Sequence, residues 1–224
     1  GDQVERLEDE PHAVAPQGVG GLEALRLFRE VLLPACRPMD DPMNLAYVPT
    51  APSVASTMFD LVVSASSIFG GNWEAGAGAI AAENQALRWL ADLAGFPPDA
   101  GGVFVSGGSA ANLSALVTAR EVFTQRRGGR PPRYTVAVTE EVHASVRAAA
   151  RVMDVDVLPV HTDAHGRMTG AALDAALHEH EHDSVFAVVA TGGTTNAGVI
   201  DELDPIADVC QARGLWMHVD GAYG

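Results

Sequence analysis

The sequence of 224 residues contains no lysine, and all 14 of its basic residues are arginines. No lysine-based Schiff base with a carbonyl compound can therefore form within these residues. With 29 acidic residues the net charge is -15, which argues against nucleic acid or an anionic membrane as a partner. Any anionic ligand would need a local source of positive potential.

Cysteines and long apolar runs are also scarce. Cys36 and Cys210 lie far apart and show no metal-ligand spacing, so we interpret them as reduced thiols of a cytoplasmic protein. No apolar run reaches the ~18 residues that a membrane span needs, and residues 1–12 resemble neither a secretory signal nor a transit peptide. The alternating histidines of residues 178–182 do not share one helical face. We therefore expect no metal site.

The apolar patterning changes along the chain. Residues 22–33, 57–67 and 79–94 have helical spacing, and we expect Pro34 to end the first helix. Later, apolar strands (103–105, 134–138, 155–160, 185–190, 215–219) alternate with helices (110–126, 144–153, 169–181, 204–213). This pattern predicts an α/β fold with a mostly parallel sheet covered on both faces. We expect residues 1–95 to form a helical and extended N-terminal segment and residues 96–224 a larger unit.

Polar clusters follow the predicted strands, where ligands bind to such sheets. The first is residues 106–112 (SGGSAAN), whose glycines permit close backbone approach to a ligand. Free N–H groups at the following helix start favour an anion. Ser109 offers a hydroxyl donor and could equally be the helix N-cap. The segment matches neither the Walker nor the dinucleotide-binding pattern, and alone it is equally compatible with a plain capped turn.

Three further clusters follow later strands. His143, in residues 141–145 (EVHAS), could stack on a flat heterocycle or shuttle protons, although capping a helix is favoured for it in isolation. Residues 190–198 (ATGGTTNAG) offer hydroxyls and space, or a flexible turn. Asp220 ends an apolar strand in residues 216–224 (WMHVDGAYG), so its carboxylate needs a partner. A protonated pyridine nitrogen would be such a partner, and a loop-capping carboxylate is the alternative.

Taken in this order, the four clusters resemble the group II amino-acid decarboxylases that depend on pyridoxal 5'-phosphate (PLP), which include aromatic amino-acid, glutamate and diaminobutyrate enzymes. The matching segments are GGSAANLSAL (107–116), EVHASV (141–146), ATGGTTNAGVID (190–201) and HVDGAYG (218–224). The resemblance is weak before Asn44 and strong after Gly101. It implies the large domain of PLP fold type I (aspartate aminotransferase-like), a homodimer, and a C-terminal small domain that is absent from this chain.

The resemblance also implies roles for individual residues. Gly108 and Ser109 would hold the PLP phosphate, while His143 would stack on the pyridine ring. Thr191 and Asp220 would face the ring, with Asp220 paired to its nitrogen; His143 and Asp220 are thus the catalytic candidates. Ala222 would pack on the ring's other face and His218 would support the site. Residues 45–51 look like a substrate-side segment, with the weaker candidates Tyr47, Pro49 and Thr50.

The implied reaction is formation of an external aldimine with an L-amino acid, loss of the α-carboxylate as CO2, and protonation of the quinonoid. The family's lysine follows the HVD motif by some tens of residues. We therefore expect these residues to bind PLP non-covalently at best, and activity to require a longer chain. Alternatives are an aminotransferase, an aldehyde synthase, a carbon–sulfur lyase or a non-catalytic PLP-fold protein. The substrate stays open, because Asp41-Pro42 replaces the family's His-Pro and Gly221 interrupts its Asp-Ala-Ala.

Overall fold

The computed structural model describes residues 16–37, 39, 41–44, 47, 51–180 and 182–223. The chain divides into two compact units, Gly1–Ile68 and Phe69–Gly224. The functional division predicted after residue 95 stays a prediction. Within the described ranges, no helix is long and apolar enough to cross a membrane.

The first unit is helical. Helix α1 (Gly21–Leu27) runs through a π-helical turn (Phe28–Leu32) into the short α2 (Leu33–Ala35), and α3 spans Val54–Ser66. The helical run ends at Ala35, one residue after Pro34, and Cys36 is extended, so the end predicted at Pro34 holds to within a residue. Helix α3 begins where the Ser53 hydroxyl accepts a hydrogen bond from the Ser56 N–H at 3.1 Å.

The first helix of the second unit is the long α4 (Trp73–Leu93), which the Asn72 side chain caps by accepting the Ala75 N–H at 2.9 Å. After α5, strands and helices alternate, as the sequence predicts. The helices are α4 (Trp73–Leu93), α5 (Gly108–Arg127), α6 (Ala144–Val152), α7 (Gly170–Glu179) and α8 (Leu203–Arg213); the strands are β1 (Thr135–Val138), β2 (Asp156–Pro159), β3 (Val185–Thr191) and β4 (Trp216–Asp220).

The four strands form one parallel sheet in the order β2-β1-β3-β4. Successive side chains of a strand point to opposite faces, so β1 sends Val136 and Val138 to one core and Ala137 to the other. Helices α5 and α6 cover the first face, and α7 and α8 cover the second. Burial on both faces explains why β3 is buried at every position. The predicted α/β architecture with a covered parallel sheet is confirmed.

The strand predicted at residues 103–105 is wrong. These residues have no strand partner among the described residues, and Val103, Phe104 and Val105 are 64, 53 and 39% exposed. The Phe104 N–H donates instead to the Glu83 carboxylate at 3.2 Å. An apolar run alone does not make a strand, because its backbone groups need an adjacent strand to pair with.

Candidate functional site

Asp220 is the last residue of β4 and is only 8% exposed. It lies at the C-terminal edge of the sheet, beside a cavity of about 390 Å³. Four residues predicted from the sequence line this cavity together: Gly108, His218, Asp220 and Ala222. The Ala222 N–H donates to one oxygen of the Asp220 carboxylate at 3.2 Å. The structure therefore brings the predicted phosphate turn and the predicted pyridine partner to one cavity.

The start of α5 forms one wall of the cavity. Its N-cap is Gly107, with φ 152°, and Ser109 is the second residue inside the helix, so the alternative in which Ser109 is the N-cap is wrong. The first turn of α5 contains no acidic residue. Its N–H groups and the helix dipole are therefore a local source of positive potential in an acidic protein. A Cβ at Gly108 would lie 3.3 Å from the Ala222 Cβ, so glycine keeps this wall clear.

Thr191 ends β3 and pairs in register with Asp220. It is 5% exposed, and its hydroxyl oxygen is buried without a hydrogen-bond partner among the described residues. A buried hydroxyl in that state carries a free-energy cost of about 1–3 kcal/mol. Polar groups of this kind occur where a ligand completes the hydrogen bonding.

His143 is the N-cap of α6, where its Nδ1 accepts the Ser145 N–H at 3.3 Å. The helix-capping interpretation is confirmed, and the stacking role stays a prediction. His143 lines a separate cavity of about 300 Å³ with Glu141, Thr194 and Thr195. Hydrogen bonds nevertheless connect it to Asp220: the Ser145 hydroxyl lies 2.8 Å from its Nδ1, and Asn112 contacts both Ser145 and Asp220.

Asn112 and Ser145 are site residues that the sequence reasoning missed. Asn112 is 3% exposed, and its Nδ2 donates to the Ser145 Oγ at 3.0 Å and to an Asp220 oxygen at 2.9 Å. Its Oδ1 lies 2.7 Å from the Nε2 of His218. One signal was available, since asparagine is unfavourable inside a helix and a buried amide needs partners.

Asp201 was also missed. It is 5% exposed and accepts two short backbone hydrogen bonds, from Met168 at 2.6 Å and from Thr191 at 2.7 Å. Burial raises the pKa of Asp201, while the two N–H donors act in the opposite direction. This carboxylate fixes the end of β3, and with it Thr191, to the loop before α7.

The electrostatics of the cavity centre on Asp220. No arginine among the described residues forms an ion pair with it. Burial lowers the pKa of the neighbouring His218, and the Asp220 charge only partly offsets this. The lowered pKa favours a neutral imidazole at neutral pH. Within the part of the chain that the structure describes, Asp220 is therefore a buried acid with no cationic side chain paired to it.

The predicted substrate segment lies elsewhere in the chain. Tyr47 belongs to the first unit, is 72% exposed and has φ 66°, an unusual conformation for a bulky residue. Pro49 and Thr50 lie outside the described residues. The substrate roles of all three stay predictions. Searched over the described ranges, the chain has no group of three or more His, Cys, Asp or Glu side chains that could hold a metal ion.

A comparison with models of protein families identifies the family of this chain. The model of the pyridoxal-dependent decarboxylase conserved domain matches residues 16–224. The chain belongs to the pyridoxal-dependent decarboxylase family. The resemblance inferred from the four clusters is therefore confirmed.

Curated decarboxylases are similar over most of this chain. The aromatic-L-amino-acid decarboxylase of Bacillus atrophaeus is 36% identical over 83% of the chain and 39% of its own length. The L-2,4-diaminobutyrate decarboxylase of Rhizobium meliloti (strain 1021) is 33% identical over 97% of the chain and 44% of its own length. The chain thus spans less than half the length of these relatives.

Solved structures of family members share the fold. The glutamate decarboxylase domain of a Vibrio parahaemolyticus diaminobutyrate-pyruvate transaminase and L-2,4-diaminobutyrate decarboxylase superposes with a TM-score of 0.87, at 25% identity, over 100% of this chain and 51% of that one. An Oryza sativa TDC solved with PLP and tryptamine gives 0.83, at 26% identity, over 96% and 50%. The fold is that of PLP fold type I, as the sequence predicted.

Proposed function

We propose that these residues form the cofactor-binding part of a PLP-dependent enzyme that decarboxylates an L-amino acid. The observation that carries the proposal is Asp220, a buried carboxylate that lines the cavity without an arginine partner among the described residues. Such an acid is suited to a cationic ligand atom, and the protonated pyridine nitrogen of PLP is one. The curated relatives carry names of decarboxylases, which favours that reaction.

The rest of the cavity fits PLP as well. The N-terminus of α5, at Gly108 and Ser109, suits a phosphate, because its first turn presents N–H groups and no acidic side chain. The Thr191 hydroxyl has no hydrogen-bond partner among the described residues and lies beside Asp220 in the sheet register, so in this proposal it would form a hydrogen bond with the ligand. A side chain at residue 108 would crowd Ala222, the residue proposed to pack against the ring.

Each residue then has a task in the reaction. Asp220 would hold a proton on the pyridine nitrogen, and Gly108 and Ser109 would bind the phosphate. His143 lines the neighbouring cavity and is linked to Asp220 through Ser145 and Asn112. In this proposal it would stack on one face of the ring, Ala222 would pack on the other, and His218 would support Asp220 through Asn112. When bound, PLP would supply the sink for the electron pair that is released when the bond to the α-carboxylate breaks.

The substrate, the oligomeric state and the location of the protein in the cell also remain proposals. We propose an L-amino acid as substrate, with Tyr47, Pro49 and Thr50 on the substrate side, and a homodimer in the cytoplasm. We also propose that the amine that binds PLP covalently lies outside these 224 residues, because they contain no lysine. Residues 1–95 as an N-terminal segment also remain part of this proposal.

The test is Asp220→Asn in the intact protein supplied with PLP. The substitution keeps the shape of the side chain and removes its charge, so we expect kcat/KM for CO2 release to fall about 10²- to 10³-fold. CO2 release is measured against a panel of aromatic, acidic and short basic L-amino acids. PLP retention is followed by the visible absorbance of the bound cofactor.

Asp174→Asn is the matched control, because Asp174 is half-exposed and pairs with Arg213 at 2.6 Å on the opposite face of the sheet. It should leave CO2 release unchanged. If the protein formed a keto acid without releasing CO2, the reaction would be that of an aminotransferase and not a decarboxylation. If the protein did not bind PLP, the proposal would be refuted.

A further inference from the structure

Asn112 lies at the centre of a hydrogen-bond network that joins His143 and His218, the two histidines predicted to belong to the site, to Asp220. Its amide reaches Ser145, Asp220 and His218 at 3.0, 2.9 and 2.7 Å. Ser145 in turn lies 2.8 Å from the Nδ1 of His143. The residues come from α5, α6 and β4, together with the turn before α6. The network therefore connects the cavity at Asp220 to the cavity at His143.

The backbone N–H of Ser145 determines which groups of the network donate hydrogen bonds and which accept them. An N–H can only donate, and this one points to the Nδ1 of His143 at 3.3 Å. The Nδ1 atom must therefore carry a lone pair rather than a hydrogen. The Ser145 hydroxyl, 2.8 Å from the same nitrogen, then donates to it as well. Its oxygen is left to accept a hydrogen bond from Asn112.

This direction determines the orientation of the Asn112 amide. Its NH₂ group must face Ser145, and the same group supplies the hydrogen bond that the Asp220 carboxylate requires. Both amide hydrogens are then used, and the Oδ1 faces the Nε2 of His218 at 2.7 Å. Oδ1 can only accept, so His218 carries a hydrogen on Nε2.

We propose that Asn112 is a positioning residue that, with Ser145, fixes the protons of both histidines. His143 is a neutral ring with its hydrogen on Nε2 and its Nδ1 lone pair directed at Ser145, and His218 also carries a hydrogen on Nε2. Assigning these rings to PLP rests on the proposed function: a neutral His143 would stack on the ring, and Asn112 would hold the Asp220 oxygens in place for the pyridine nitrogen.

The tautomers can be read without cofactor. Nitrogen NMR of the intact protein with ¹⁵N-labelled histidine separates ring nitrogens that carry hydrogen from those that do not. The signals are assigned by their loss in His143→Gln and His218→Gln proteins. We expect the hydrogen on Nε2 in both rings and none on the Nδ1 of His143. A hydrogen on that Nδ1, or a His218 ring without hydrogen on Nε2, would overturn the proposal.

Two substitutions test the part played by Asn112 itself. Asn112→Ala removes the acceptor of His218, so its ring should become a mixture of tautomers, while the Ser145 N–H still holds the Nδ1 of His143. Asn112→Asp brings a second carboxylate next to Asp220 and His218, and His218 should become doubly protonated at neutral pH. Unchanged His218 signals in both variants would show that Asn112 does not fix its proton.

Asn72→Ala is the matched control for a general loss of stability. Asn72 caps α4 and is absent from the network, so its substitution should weaken a helix and leave both histidine signals in place. In the PLP-bound protein, Asn112→Ala should weaken PLP binding about 10-fold or more, because a charged acceptor loses its donor. If PLP does not bind the intact protein while the tautomers are as stated, the proposed function fails and the proton assignment stands.

Discussion

The carboxylate of Asp201 is predicted to be a main contributor to the stability of the second unit. Asp201→Asn keeps the side-chain volume but replaces one oxygen with an NH₂ group. Either the Met168 or the Thr191 N–H then faces another donor, at a position where the hydrogen bonds are 2.6 and 2.7 Å long. Hydrogen bonds to charged groups contribute about 1.5–3 kcal/mol each, and the N–H that is left without an acceptor adds a cost of about 1–3 kcal/mol.

We therefore expect Asp201→Asn to lower the free energy of unfolding by about 2–4 kcal/mol. Urea denaturation of the intact protein, followed by circular dichroism, measures this change. Asp174→Asn again serves as control, since a half-exposed ion pair contributes about 0–1 kcal/mol. A loss below about 0.5 kcal/mol for Asp201→Asn would refute the reasoning, because the two short hydrogen bonds would then contribute nothing net.

Two further predictions concern packing and pH. Gly170→Ala should destabilise the protein by about 1–3 kcal/mol, because the added Cβ would lie 2.8 Å from the Pro205 carbonyl oxygen. Gly78→Ala is the control: its Cβ would meet open space, so the substitution should be neutral or stabilising in the same urea assay. Backbone and side-chain hydrogen bonds from Arg167 lower the pKa of Asp163 to about 2. Since the folded pKa lies below the ordinary value of 3.8, the stabilisation is complete above pH 3.8 and is lost as the pH falls towards about 2. The difference in melting temperature from Asp163→Asn should shrink over that window, and a constant difference would contradict the assignment.

Much of the fold was predictable because the sequence carries strong periodic signals. The buried strand β3 is a continuous apolar run, and the helices of the second unit have clear apolar faces. The failure at residues 103–105 has a physical cause. Pairing depends on an adjacent strand, which local patterning does not reveal.

The candidate site was predictable only in part. Strand ends pointed to Thr191 and Asp220, since the edge of a parallel sheet is where ligands bind. Asn112 and Ser145 escaped, because their importance comes from contacts between elements that lie far apart in sequence. Asp201 escaped for a similar reason: its partners are backbone N–H groups, which have no signature in the residue types around it.

The hydrogen bond between Asn112 and Asp220 joins residues that are 108 positions apart. Between them lie β1, β2 and β3, and three helical crossovers connect the four strands as far as β4. Closing a loop of that length costs entropy, so we expect this bond to form late in folding, when the sheet that offsets the cost is assembled. A partly folded chain would contain the glycine turn and the helix start without the acid. Binding of an anionic, ring-containing ligand at this cavity would therefore report that β4 has docked, and would stabilise the last step of folding rather than the first.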